Sequence, residues 1–378
     1  MKRLSMKEPA WPLPRRVSLA TVHAMSRKAS DVRDNPILDF DLDRATLRYV
    51  GHDLQRPECI LAERDGTLWT ADARGGVVRL RPDGSQEIIT QKRSGHFQTA
   101  GSEASRYLEG TLPNGLAFDR DGSFLISNFG TDCLELMSRD GTSRVLADRI
   151  DGQPVGKVNF VLRDSRDRIW ITVSTRVKNW MHALRTDLSD GYLARYEDGT
   201  FRIVADGFQF TNEIRFDANE EYLYVVETTG GRITRLRIDD RGNVTHREIF
   251  GPSRLGKGAW PDGIAFDCAG NLWGTLVYSD KLFVITPQGD MRVLLDEGDT
   301  EKVDALERAF FQNHVTEEVL FATGAGVAPW MASVTFGGPD LQTLYIGSLK
   351  GRRIPYFRAP VPGLPMVHWN DRPSQARF

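Results

Sequence analysis

WPDGIAFDCAGNLW, residues 260–273, carries two strand signals and one feature they do not explain. Ile264, Ala265 and Phe266 form a short apolar run, Asp267-Cys268-Ala269-Gly270 a turn, and Asn271-Leu272-Trp273 the start of a second run. Two short apolar runs about an Asp/Gly turn read as a β-hairpin. The hairpin gives no reason for Asp262, a carboxylate between Pro261 and Gly263 where a buried strand should begin.

The same pattern recurs along the chain. RPECILAERDGTLWTAD (56–72), LPNGLAFDRDGSFLISN (112–128), KVNFVLRDSRDRIWITV (157–173) and FTNEIRFDANEEYLYVVE (210–227) repeat it, and FGGPDLQTLYIGS (336–348) keeps the turn and second strand alone. Aligned on the opening of the second strand, the copies fall at Leu68, Phe124, Ile169, Leu223, Leu272 and Leu344, with gaps of 56, 45, 54, 49 and 72 residues. Repeats of roughly 40–50 residues with about four short strands each are the signature of a β-propeller. Between the hairpins, GGVVRLRPDG (75–84), DGYLARYEDGTFRIVA (190–205) and GGRITRLRIDDRG (230–242) alternate with period two, which disfavours a helical solenoid.

The expected fold is therefore all-β: a six-bladed β-propeller over 46–378, preceded by an N-terminal arm at 1–45. The long last gap holds DTEKVDALERAFFQNHVTEEVLFATG (299–324), where Val303, Leu306, Ala309, Phe310 and His314 fall on one helical face behind a cap at Asp299 or Thr300. It reads as a helical insertion between blades five and six, either a lid over one mouth or a dimer contact.

Lys and Arg number 49 against 51 Asp and Glu, a net charge of −2, so there is no overall basic field for nucleic acid or an anionic membrane. No apolar run reaches the ~18 residues of a spanning helix. Cys59, Cys133 and Cys268 are odd in number and set in apolar strands, which reads as reduced core thiols and a cytoplasmic protein. The basic first 30 residues lack an unbroken apolar core of ~7–15 residues, which argues against a secretory signal. An arm wrapping the propeller or a partner subunit is favoured there, with an organellar transit segment as the alternative.

Inner strands of a propeller converge on its axis, so a residue at the entrance of each points to a shared site. That position holds Glu58, Asn114, Asn159, Asn212 and Asp262, with no polar counterpart in blade six. All are oxygen donors, which suits a hard cation: calcium takes ~6–8 oxygens from carboxylates, amides and water. Two carboxylates would balance a divalent charge, and the remaining positions would admit water and a substrate oxygen. Asn114, in Asn-Gly, is also explained by turn chemistry within its own blade, and that reading is favoured for it. No HExxH, GxxxxGK[ST], GxSxG or CxxC pattern occurs, so zincin, P-loop and serine-hydrolase chemistries lack support. His182 and Arg176 lie in an excursion between strands and are candidates for the mouth.

These residues resemble the SMP-30/gluconolactonase/LRE-like calcium-dependent hydrolases, a family that includes diisopropylfluorophosphatase-like enzymes. The resemblance covers roughly 50–367 and is carried by PDGIAFDCAGNLW, TFGGPDLQTLYIGS and RAPVPGLPM (358–366). It implies one divalent cation on the axis, with Glu58, Asn159, Asn212 and Asp262 as ligands. Calcium is favoured, with magnesium, manganese or zinc as alternatives. Three departures bear on substrate. Phe160 follows Asn159 where lactonases of the family carry Asp, Lys157 stands where Arg contacts substrate, and no Asp follows Trp170-Ile171-Thr172-Val173. They point to a substrate less polar than a sugar lactone.

The function expected is a divalent-metal-dependent hydrolase of a lactone or related ester. Asp262 would activate water and Lys157 would orient substrate, with Phe160, Asn114, His182 and Arg176 as candidate substrate contacts. A metal-dependent lyase, isomerase or phosphotriesterase on the same site is the alternative, and a non-catalytic binding propeller a third. The partner expected is a small molecule, not nucleic acid or membrane. Assembly as a homo-oligomer is left open.

Overall fold

The computed structural model describes residues 35–92, 110–197 and 199–371. Six antiparallel four-stranded sheets surround one axis. Blade one runs through Ile60–Ala62, Leu68–Asp72, Gly76–Leu80 and Gln86–Thr90. Blades two to five repeat that order behind the inner strands Pro113–Phe118, Val158–Arg163, Thr211–Phe216 and Pro261–Phe266. Blade six takes three strands from the end of the chain, Met331–Gly337, Thr343–Ser348 and Ile354–Arg358. Its fourth comes from the other end: Arg48, Tyr49 and Val50 pair with Tyr356, Pro355 and Ile354. The ring is thus closed by backbone hydrogen bonds between chain segments some 300 residues apart. The six blades match the sequence expectation; this closing strand had no local signal.

The hairpin turns explain why the repeat is so regular. Asp267 accepts hydrogen bonds from the backbone N–H of Ala269 and Asn271, both 2.9 Å, and from the indole N–H of Trp273 at 2.8 Å. Gly270, at φ 82°, completes a turn that a side chain would strain. Glu63 with Trp69 (2.6 Å) and Asp164 with Trp170 (2.8 Å) repeat the bond. One acidic residue therefore closes each of these hairpins and fixes a large aromatic ring between blades. Inner strands such as Pro261–Phe266 are buried throughout, while the outer strand Gln86–Thr90 is half exposed, as expected where only the inner strands are packed on both faces.

Of the arm, residues 1–34 lie outside the described residues. The rest docks on blades five and six: Asn35 and Asn271 exchange side-chain hydrogen bonds of 2.6 and 3.1 Å, and Ile37 is fully buried. The insertion forms helix α1, Thr300–Phe311, capped by Asp299, and helix α2, Glu317–Phe321, capped by Thr316. Val303, Leu306 and Phe310 pack with Trp180, Trp260, Tyr278 and Trp330. His314 lies beyond the end of α1 and is exposed, so it does not share that buried face. Among the described residues no helix is long and apolar enough to cross a membrane.

Candidate metal centre

The strand entrances share one irregularity. In blades two to six the pairing of the inner strand slips at Pro113/Leu116, Val158/Phe160, Thr211/Ile214, Pro261/Ile264 and Met331/Val334. A bulge takes a residue out of the ladder and re-aims its side chain. The residues so placed are Asn114, Asn159, Asn212, Asp262 and, in blade six, Ala332. Glu58 holds the matching place ahead of Ile60–Ala62. Gly263 must follow Asp262 because a Cβ there would lie 2.3 Å from the Ala332 carbonyl oxygen of the next blade.

Buried hydroxyls clamp the entrances of blades three, four, five, six and one to a neighbouring blade. Ser127 donates to the Asn159 carbonyl (2.6 Å), Ser174 to that of Thr211 (2.7 Å), Thr228 to that of Pro261 (2.8 Å) and Thr275 to that of Ala332 (3.0 Å). Ser333 donates to the Glu58 carbonyl and carries the belt back to blade one. These hydroxyls hold the donors' backbones at fixed spacing, and the sequence reading passed over them.

Glu58, Asn114, Asn159, Asn212 and Asp262 all line one cavity of about 40 Å³ with Arg56 beside them. Phe129, Trp180, Phe210, Tyr278 and Trp330 complete its wall. These aromatics belong to the cluster that includes α1, so the insertion packs against the residues of this wall. Arg56, Phe210 and Trp330 each stand two residues before the aligned position and hold φ of 59°, 56° and 57°. That left-handed region costs a bulky residue on the order of 1–3 kcal/mol. All three side chains face the cavity.

The donors fit a hard divalent cation. Asn212 donates its amide N–H to Thr228 Oγ1 at 3.1 Å, leaving its Oδ1 buried without a hydrogen bond. Glu58 Oε2 lies 2.7 Å from Arg56 Nη1 in a charge contact that lacks hydrogen-bond alignment. Burial raises the Glu58 carboxyl to about 7 against the opposing pull of Arg56. Burial, then the charges of Glu58 and Glu213, push Asp262 well above the usual carboxylate range. Buried acidic oxygens with raised pKa values and unfilled lone pairs are what a cation would satisfy. No group of three or more His, Cys, Asp or Glu side chains positioned to hold a metal occurs among the described residues, so the asparagine oxygens are needed to complete a shell.

Not every candidate reaches the cavity. Lys157 points to the neighbouring blade, with Nζ 2.9 Å from Asp132 Oδ1 and donating to the Phe129 carbonyl at 3.2 Å. Phe160 lies beneath the donors under the Arg215 guanidinium, 4.6 Å from its ring centroid, and does not line the cavity. His182 is exposed on the turn Trp180–Ala183, where Trp180 faces the cavity instead. Arg176 is exposed and stacks on Tyr192 at 4.6 Å. Asn114 does line the cavity, but its turn reading fails: it donates to the Asn159 carbonyl at 2.9 Å and accepts from Arg56 Nη2 at 2.6 Å. Arg56 was missed, although it precedes Glu58 by the same two residues that separate Lys157 from Asn159.

Residues 56–296 match the family model of the SMP-30/Gluconolactonase/LRE-like region. A 6-deoxy-6-sulfogluconolactonase of Pseudomonas putida is 24% identical over 211 residues, which are 55% of this chain and 60% of that protein. A pentonolactonase of Haloferax volcanii is 27% identical over 254 residues, 65% of this chain and 69% of the relative. The adipocyte plasma membrane-associated protein of Mus musculus is 26% identical over 242 residues, 61% of this chain and 55% of the relative. The chain therefore spans little more than half to two thirds of the length of these relatives. Among solved structures, a luciferin-regenerating enzyme superposes with a TM-score of 0.61 at 15% identity, covering 85% of this chain and 98% of its own. A gluconolactonase from Xanthomonas campestris gives 0.58 at 19% identity, covering 85% and 94%. The calcium-binding protein regucalcin from Agrobacterium tumefaciens gives 0.57 at 17%, covering 83% and 95%. At these identities the structural likeness bears on the fold.

Proposed function

The chain belongs to the SMP-30/gluconolactonase/LRE-like family, and from that premise we propose that it is a divalent-metal-dependent hydrolase of a lactone or related ester. The observation that carries the proposal is the meeting of five oxygen-bearing side chains from five blades in one buried cavity, with Asn212 Oδ1 left without a hydrogen bond. A scaffold propeller has no need of such a set. Two matched relatives named as lactonases support the reaction class.

Glu58, Asn159, Asn212 and Asp262 would hold the cation, with calcium favoured by the oxygen-only donors and magnesium, manganese or zinc as alternatives. When bound, the cation supplies polarisation of the substrate carbonyl and charge stabilisation for the oxyanion. Asp262 takes the proton of the attacking water; burial disfavours its charged form, which raises its basicity. Thr228 holds the Asn212 amide so that its oxygen faces the cavity. The aromatic wall excludes bulk water, which strengthens each of these charge interactions. Lys157 acts as a positioning residue: its bond to the Phe129 carbonyl and its place 5.4 Å from the Phe129 ring centroid fix one cavity wall. A cavity of about 40 Å³ has room for a few waters at roughly 10–15 Å³ each, so the roof must shift to admit a lactone.

The test is proton release at constant pH on sugar, aliphatic and aromatic lactones, after chelation and again after calcium is restored. Metal-restored hydrolysis of any one establishes the class. Stoichiometric metal binding without hydrolysis turns the assignment to the lyase, isomerase or phosphotriesterase alternatives, and absence of metal binding removes the site.

A further inference from the structure

Outside the five oxygen donors, Arg56 and Thr228, every described residue that lines the cavity is aromatic or aliphatic. The rings form edge-to-face sets. Trp180 meets Phe129 at 6.2 Å and Phe210 at 6.4 Å between centroids, and Tyr278 meets Trp330 at 5.1 Å. Phe210 and Trp330 keep left-handed backbones, at φ 56° and 57°, where bulky residues are disfavoured. Strain held at residues whose rings face a site points to a use for those rings.

The polar groups among them are committed to the protein. Thr228 Oγ1 accepts from Asn212 and donates to the Pro261 carbonyl. Asn114 donates to the Asn159 carbonyl and accepts from Arg56, which also reaches Glu58 and the Pro113 carbonyl. Trp330 donates its indole N–H at 2.9 Å to Thr323 Oγ1, which does not line the cavity. A cation would take up Glu58, Asn159, Asn212 and Asp262. The hydroxyls of a sugar lactone would therefore meet carbon along most of this wall, and each one left without a partner weakens binding by roughly tenfold. An aryl group instead adds one more ring to the edge-to-face sets. We propose that the site selects lactones that carry an aryl substituent, with Trp180 as the residue that determines this specificity. This rests on the hydrolase reading above and adds the substrate class. The Trp180 ring joins Phe129 to Phe210, is 6% exposed, and is carried by the turn Trp180–Ala183 rather than by a blade strand. Changing it leaves the strand entrances in place. Phe160 and Lys157 do not line the cavity and take no part in the selection.

The experiment compares γ-phenyl-, γ-methyl- and γ-(hydroxymethyl)-γ-butyrolactone on the calcium-loaded protein. The three share the ring and a secondary alkoxide leaving group, so their ratios report contacts to the substituent. In kcat/KM the wild type should favour phenyl over hydroxymethyl by roughly 100-fold, with methyl between them. Trp180→Ala should lower the phenyl-over-methyl preference by roughly tenfold, chiefly through KM, and Trp180→Phe should restore most of it. Trp180→Leu, which keeps apolar bulk without a ring, serves if the alanine variant fails to fold. Calorimetry with 5-phenyl- and 5-methylpyrrolidin-2-one, lactams in place of the lactones, reads the same contact without turnover. Binding of the phenyl lactam at least tenfold tighter than the methyl one by the wild type, with the gap narrowed in Trp180→Leu, supports the proposal even if no lactone is cleaved. In that case the hydrolase reading fails alone. Equal turnover of the phenyl and hydroxymethyl rings, or a phenyl preference that survives loss of the Trp180 ring, overturns the proposal while leaving lactone hydrolysis in place. Equal binding of the two lactams by the wild type, or binding of neither, also overturns it.

Discussion

Two layers of charge stand one beneath the other on the propeller axis, and they are built from the same residue types. The upper layer pairs Glu58 with Arg56 at 2.7 Å; the lower pairs Glu213 with Arg215 at 3.0 Å. Burial raises both glutamates to about 7. The difference lies in what else each carboxylate meets. Glu213 also faces the backbone N–H of Ile264 at 3.3 Å, and its arginine covers the Phe160 ring. Glu58 Oε2 lacks an aligned hydrogen bond and shares its cavity with Asp262 and the unpartnered Asn212 Oδ1. Equal burial therefore gives a closed structural pair in one layer and a site short of positive charge in the other.

The comparison can be broken most severely at Asp262. Asp262→Asn should lower metal-dependent turnover by about 10²–10⁴-fold while leaving circular dichroism and the metal-free melting temperature near those of the wild type. Turnover within a few-fold of the wild type would remove Asp262 from the chemistry. In the lower layer the main effect should be on stability. Glu213→Ala removes the acceptor that Arg215 and the Ile264 N–H share, leaves a void beneath the donors, and should destabilise the fold by about 3–5 kcal/mol in urea unfolding. A loss under ~1 kcal/mol would mean that this layer is not the closed pair described.

The pH response sharpens the contrast. Glu58 and Glu213 are raised from the ordinary carboxylate value to about 7, so each contributes stability that is complete below the unfolded value and lost as pH rises through 7. The metal-free protein should therefore melt at lower temperature at pH ~8 than at pH ~5.5. Calcium should recover the Glu58 share of that loss mostly above pH ~7, where Glu58 is ionised, and its binding should release protons below that. A calcium-induced shift of melting temperature equal at both pH values would count against metal binding at Glu58. The smallest effect is expected at the exposed candidates: His182→Ala and Arg176→Ala should each change turnover less than about twofold and stability by no more than ~0.5 kcal/mol. A tenfold loss in either would place that side chain at the substrate.

Much of this was legible before any coordinate. Glu58, Asn159, Asn212 and Asp262 could be picked out because the repeat fixes the register, and a side chain at the same step of each inner strand must reach the same axis. Asn114 was discounted from its Asn-Gly context, yet the entrance bulge turns it toward Asn159 and Arg56. Lys157 was read from the family resemblance, as the match of an Arg that contacts substrate, and Asp132 in the adjacent blade captures it. Phe160 follows a donor in sequence but points under it, because successive residues of a strand face opposite ways.

The sequence by itself determined the blade count, the hairpins, the insertion helix and the aligned donors, since each depends on contacts within a few residues: an acidic turn, period-two burial, an N-cap. The tertiary structure decided the rest. Ring closure by Arg48–Val50, the aromatic roof of Trp180 and Trp330, and the setting of Arg56 against Glu58 and Asn114 join segments from different blades. Which charge finds which partner across that interior is set by distance and desolvation, and neither quantity is written in the local pattern.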